Sequence, residues 1–267
     1  MCGMNLYGKK FSGEKVKMIE KKYPELWKKA KTITKTCSVY DIEHNSLTFA
    51  KTLFNLELAF ESDKIVDIIT PHWFTRKDIP DNVTIHTLKD DNVKNVFIEL
   101  HNMINEHNEP KESVISRKAI IHPTAVIGVP GNNIMKRPDG RIINMKHMGN
   151  VVIEDYAEVQ ALSVVHRSVF GSTIIRKNAQ VFAKVNIGHN CDIGESTIVC
   201  PGTMLAGGTK VGKNCYIWQG VITRSNISIC DNVIVGAGSL VLKDIDKPGV
   251  YIGSPVKYIK EYDEVLR

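Results

Sequence analysis

Long uncharged apolar segments are missing from this chain: no run of about 18 such residues occurs, so no membrane span is expected. Aromatic residues make up only 7%, and no aromatic-basic sheet, helix-turn-helix or zinc-finger pattern accompanies them, so no nucleic-acid partner is expected. Paired CxxC knuckles, His-Glu-x-x-His, a Walker loop, a serine elbow and a glycine-rich dinucleotide fingerprint are also lacking. No metal site is expected from the nine histidines and six cysteines. The start, Met1 to Tyr7, has no basic stretch leading into an apolar one and does not read as a signal peptide. Cysteines without such a signal do not imply a disulfide framework, and a cytoplasmic location is expected.

What is present begins with a basic excess. The formal net charge is +6, concentrated at Lys9-Lys10, Lys15 to Lys31 and Lys136-Arg137, and it suits a small anionic substrate or coenzyme. Residues 13–30 carry apolar and charged residues at helical spacing around Pro24, within an N-terminal helical extension spanning 1–36. Residues 37–110 mix short apolar runs, such as Ile65 to Ile69 and Val83 to Ile85, with helical stretches over Lys51–Phe60 and Val93–Ile104. That alternation predicts a small α/β domain ending in the polar segment Asn105 to Pro110.

From there the period becomes six. Aliphatic residues fall at Ile115, Ile121 and Ile127, then at Ile153, Val159 and Val165, and after a four-residue shift from Ile175 by sixes to Val241, with Thr223 the one substitution. Positions two residues earlier are small or β-branched, as at Thr173, Ala179, Cys191, Thr203 and Ser239. Neither a helix nor an ordinary strand uses that period. A triangular coil does, because each six-residue side points these two residues into a prism and residue i stacks on residue i+18 at the ordinary spacing of paired strands. The fold class predicted is therefore a left-handed parallel β-helix of hexapeptide repeats, over 111–253, preceded by the small α/β domain and followed by a short tail, 254–267. Glycines after the aliphatic position (Gly188, Gly194, Gly212, Gly236) and Asn or Asp near the corners are assigned to tight or left-handed turns. A three-sided rod of this kind commonly buries its faces by self-association, so a homotrimer is expected. Residues 128–152 interrupt the hexads with strong turn signals at Pro130-Gly131 and Pro138-Asp139-Gly140. This excursion either shapes a substrate cleft or reaches a neighbouring subunit.

One histidine stands apart. His189 lies two places after inward Ile187, and one coil later comes Gly207, which has no side chain. An outward imidazole over a bare backbone is an open slot in which the imidazole can remove a proton and a backbone N–H can stabilise an oxyanion. A surface or corner histidine is the plain alternative. His166, beside Arg167, reads as surface or interface, His122 as structural, and His147, within the excursion, has no position fixed by periodicity. Cys191 and Cys215 occupy inward positions and read as small buried hydrophobes.

Over roughly residues 37–260, and most strongly from Gly140-Arg141 through the turns Ile187-Gly188-His189-Asn190 and Gly207-Gly208, the chain resembles the UDP-3-O-acylglucosamine N-acyltransferases of lipid A synthesis and related bacterial nucleotide-amino-sugar N-acyltransferases. The resemblance implies His189 as general base and Gly207 as the backbone donor to the thioester carbonyl. It further implies Asn190, His166 and Arg167 at the amino sugar, Phe49 of Leu47-Thr48-Phe49 stacking on the nucleotide base, and Gly208 and Asn226 at the acyl donor. His166 stands where the family has Asp, Asn226 where the lipid A enzyme has a further histidine, and Phe182-Ala183 where it has polar residues. Lys247 to Lys260 is similar to the ending of acetyl-coenzyme-A-dependent hexapeptide acyltransferases, and only seven residues follow it. The expected activity is transfer of a short acyl group, acetyl from acetyl-CoA, to the amine of a nucleotide-linked amino sugar in lipopolysaccharide or glycan biosynthesis. A thioester on acyl carrier protein, or a non-catalytic trimeric scaffold that binds a sugar nucleotide, are the alternatives. A small-molecule O-acetyltransferase uses the same repeat.

Overall fold

A computed structural model of the chain describes residues 21–262, apart from 31, 34, 75–77, 89–92 and 138. The part of the expected N-terminal helix before residue 21, and Pro138 of the expected turn, lie outside the described residues. Two compact units divide the chain, Met1–Asn108 and Glu109–Arg267.

Unit 1 is a small α/β fold. Helix α1 (Pro24–Ala30) opens on a proline, which costs nothing at a first helical position because its missing N–H has no helical partner there. Strands β1 (Lys35–Thr36), β2 (Ser46–Phe49), β3 (Val66–Pro71) and β4 (Val83–Leu88) form one parallel sheet in the order β1-β2-β3-β4. All six residues of β3 are buried, as expected of a strand near the middle of a covered parallel sheet. Helix α2 (Leu53–Phe60) starts two residues later than the apolar spacing suggests. Thr52 stops it, because its side chain accepts a hydrogen bond from Asn55 N and so caps the first turn. Helix α3 (Val93–Ile104) follows β4 and buries Phe97, Ile98 and Leu100.

Unit 2 is a left-handed parallel β-helix built on hexapeptide repeats. Its short strands stack into three sheets of six, eight and six strands, the eight including a C-terminal hairpin, Gly249–Gly253 with Val256–Lys260. Register follows the eighteen-residue coil: Ile175 pairs with Ile193, Val181 with Val199 and Ile187 with Leu205. Every aliphatic hexad residue from Ile153 to Val241, and every small residue two places before it from Thr173 to Ser239, is buried. The prism is therefore filled by alternating large and small side chains, with threonine hydroxyls such as Thr203 Oγ1 satisfied by the backbone carbonyl of a neighbouring coil, here Trp218 O at 2.9 Å. Only the first coil is open, with Ile115 42% exposed.

The corners correct one sequence reading. Left-handed backbone recurs at every sixth residue, from Asn178, Lys184, Asn190, Ser196 and Gly202 through Gly208, Asn214, Gly220, Asn226 and Asn232 to Gly238. That position lies three residues after the inward aliphatic. Gly188, Gly194, Gly212 and Gly236, just after the aliphatic, do not have positive φ. Their need for glycine is close approach: a Cβ on Gly188 would lie 2.6 Å from Gly207 N.

Two insertions break the coil without breaking the register. Ile115 pairs with Ile153 and Ile127 with Val165, each 38 residues apart, so the excursion adds twenty residues to one coil. Ile153 pairs with Ile175 and Val165 with Ile187, each 22 apart, so four more enter after Val165. Within the excursion, Ile134–Lys136 and Ile142–Asn144 form an antiparallel hairpin with Met135 and Ile143 buried.

Candidate functional site

Everything the hexads predict about His189 depends on which of its nitrogens carries the proton, and Asn190 settles this. Asn190 sits at a left-handed corner (φ 61°) with its own N–H on Thr173 Oγ1 at 2.9 Å. Its Oδ1 accepts from Val169 N (3.1 Å), and its Nδ2 donates to Phe170 O (3.1 Å) and to Ser168 Oγ. A backbone N–H can only donate and a carbonyl can only accept, so the amide orientation is fixed by its partners. The same Oδ1 lies 2.9 Å from His189 Nδ1. His189 therefore donates there, and in the neutral imidazole the lone pair is on Nε2.

That nitrogen lies against the next coil. A Cβ built on Gly207 would fall 2.5 Å from His189 Nε2, so the ring occupies the space that any side chain at 207 would need. His189 O accepts from Gly208 N at 2.7 Å, which ties the two turns together. Among the described residues the Gly207 N–H has no hydrogen-bond acceptor. The Nε2 side of the imidazole and a bare backbone N–H thus share one slot, and Gly188, lacking a Cβ, leaves that N–H uncovered.

The other expected site residues divide. His166 places Nδ1 3.1 Å from Pro130 O and Nε2 2.9 Å from Asn186 Oδ1, and Arg167 donates through Nε to Gly128 O. Both side chains hold the root of the excursion by its carbonyls. Burial pushes the Arg167 pKa down from its ordinary value, with Glu109 acting against it. Gly208 (φ 75°) and Asn226 (φ 58°) are successive residues of the same left-handed corner that contains Asn190, and Asn226 N donates to Gly207 O at 2.9 Å. In unit 1, Phe49 is half-buried with its ring against Phe97, centroids 4.7 Å apart. A shallow cleft at the C-terminal ends of β2 and β3 is lined by Ala50, Thr52, Thr70, Pro71, Trp73 and Phe74 rather than by Phe49. His122 turns onto Thr124 Oγ1 at its own corner.

Periodicity misses the excursion's part in this site. Gly131 packs on the His189 ring, and His147 lies edge-on to it with centroids 5.1 Å apart and planes at 79°. Burial raises the thiols of Cys191 and Cys215 to about 12, so both stay protonated at neutral pH and neither is a nucleophile. Among the described residues no helix is long and apolar enough to cross a membrane, and no group of three or more His, Cys, Asp or Glu could hold a metal ion.

Comparison with known proteins bears out the resemblance drawn from the sequence. Residues 208–243 match the bacterial transferase hexapeptide (six repeats) family. The UDP-3-O-acylglucosamine N-acyltransferase of Methylococcus capsulatus is 30% identical over 148 residues, 55% of this chain and 42% of that protein. UDP-3-O-acylglucosamine N-acyltransferase 2 of Sulfurimonas denitrificans is 37% identical over 136 residues, 51% and 43% of the two chains. The chain thus spans less than half the length of these curated relatives. Among solved structures, UDP-N-acetylglucosamine O-acyltransferase from Moraxella catarrhalis superposes with a TM-score of 0.52 at 15% identity over 87% of this chain and 75% of that one. The Arabidopsis UDP-N-acetylglucosamine acyltransferase gives 0.51 at 18% over 80% and 63%. At these identities the likeness is one of fold.

Proposed function

We propose that the protein is an N-acyltransferase that moves an acyl group from a thioester to the amine of a nucleotide-linked amino sugar. The observation that carries this reading is the slot between His189 and Gly207: a histidine whose Nε2 lone pair is assigned by Asn190, set over an unshared backbone N–H. In the reaction the amine nitrogen attacks the thioester carbonyl and loses its proton to His189 Nε2. Gly207 N–H holds the oxyanion while it exists. The carbon–sulfur bond then breaks, the proton passes to the departing thiolate, and the products are an amide and a free thiol. Nothing in this sequence requires a covalent enzyme intermediate.

Acetyl-CoA is the donor we propose, seated along the corner of Gly208 and Asn226, with carrier-protein thioester the other candidate. For the acceptor, the names of the relatives favour a UDP-amino sugar. Asn190, His166 and Arg167 are the residues of unit 2 that we propose at or behind the sugar, and Phe49 is the residue of unit 1 that we propose for stacking on a nucleotide base. A homotrimer is proposed from the outward apolar positions of one sheet, where Val126, Met204 and Ile222 are each at least 44% exposed.

The test is to offer the purified protein matched acetyl-CoA and acyl-carrier-protein thioesters with a panel of UDP-amino sugars and to follow thiol release. Turnover with at least one pair, preferring acetyl-CoA, is the expected result. Tight sugar-nucleotide binding with no acyl transfer from either donor would instead identify a binding scaffold.

A further inference from the structure

We infer that His147 is a positioning residue whose ring edge fixes the plane of the His189 imidazole. This rests on the reading of His189 as the base and extends it to a residue of the excursion that no repeat could place. The hydrogen bond from His189 Nδ1 to Asn190 assigns the proton but leaves the ring free to tilt about that bond. Two groups remove this freedom, and both come from the excursion. Gly131 fills the angle between the two histidines: a Cβ there would lie 2.9 Å from His189 Cδ2 and 3.2 Å from His147 Nε2. His147 meets His189 edge to face at 5.1 Å and 79°, a favoured arrangement for planar rings.

His147 is itself held. It is buried, and its Nδ1 donates to Met145 O at 2.9 Å, since a carbonyl offers only lone pairs. The surrounding excursion is anchored to the rod at two points, Arg167 on Gly128 O and His166 on Pro130 O, and braced internally by Asn144 Nδ2 on Gly131 O at 2.8 Å. On this account His166 and Arg167 act at a distance from the chemistry, by keeping Gly131 and His147 against the base.

Steady-state kinetics on four variants tests this. His147→Ala should lower kcat about 10- to 100-fold, the scale expected when a reacting group loses its orientation, with KM for the sugar nucleotide unchanged within about twofold. His147→Phe keeps a ring edge without the imidazole and should recover most of the loss. Gly131→Ala, which forces a methyl between the His189 and His147 rings, should lower kcat in the same way with residue 147 unaltered. His189→Ala separates the two claims: if it leaves turnover intact, the base assignment falls and this inference with it. If His189→Ala abolishes turnover while His147→Ala, folded by its thermal melt, keeps full kcat, the base stands and the positioning role is overturned. Equal losses in His147→Ala and His147→Phe would also overturn it, because the ring edge would then not be what acts.

Discussion

Asn190 performs two tasks that a sequence pattern cannot separate. It turns a corner that only glycine or asparagine takes easily, and it assigns the tautomer of its neighbour. Asn190→Gly separates them, because glycine keeps the left-handed corner (φ 61°) and removes the amide. The expected outcome is a kcat lower by about 10- to 100-fold with a lower thermal midpoint as well, because Val169 N loses its acceptor. His189→Ala should cost about 10²- to 10⁴-fold in kcat, the usual contribution of a positioned base, with binding of the sugar nucleotide retained in calorimetry. The stacking of His189 on Gly207 is legible in the sequence, because a fixed eighteen-residue coil converts sequence separation into vertical neighbourhood. The tautomer is not, because it depends on Ser168, Val169 and Phe170, which lie in the four-residue insertion where the period lapses.

Coils and corners show where reading by period succeeds and where it fails. Inward positions are legible because a prism gives each the same environment. Gly188 and its equivalents read wrongly as turn residues, since glycine serves both left-handed turns and close backbone approach, and sequence alone does not distinguish the two. The corner rule has a consequence for stability. Leu162 is 58% exposed and sits at a corner with φ 59°. Replacing it with asparagine should stabilise the coil by about 1 kcal/mol, seen as a higher thermal midpoint, and a lower one would show that Leu162 is covered by something the single chain lacks. Inside the prism, Cys191 and Cys215 are held as thiols up to about 12, against 9.0 for an ordinary cysteine. A pKa raised by folding gives full stability below the unfolded value and loses it as pH climbs toward the folded one. Urea midpoints should therefore fall between about pH 9 and 12, and alanine at both positions should flatten that part of the decline.

For the whole molecule, composition and the change of period at the polar segment Asn105 to Pro110 foreshadow two units, and the chain divides after Asn108. The excursion, by contrast, is visible only as a gap in the hexads with turn signals at Pro130-Gly131 and Pro138-Asp139-Gly140. Its clamps and its two contacts with the His189 ring are tertiary facts that no local pattern encodes. Self-association belongs to this scale as well. Ile222 projects outward from the sheet proposed as the trimer contact and is 45% exposed, so Ile222→Glu should shift the species seen in sedimentation velocity from the proposed trimer to monomer. An unchanged sedimentation coefficient would remove that sheet as the contact face.

Both insertions leave and rejoin the rod in register, so the prism does not record how many residues lie between. The excursion is in this sense a cassette: its ends are set by the coil, while its length is free to change. Residues can be gained or lost within it while His189, Asn190 and Gly207 stay where the repeat puts them, provided that Gly131 and His147 still meet the His189 ring.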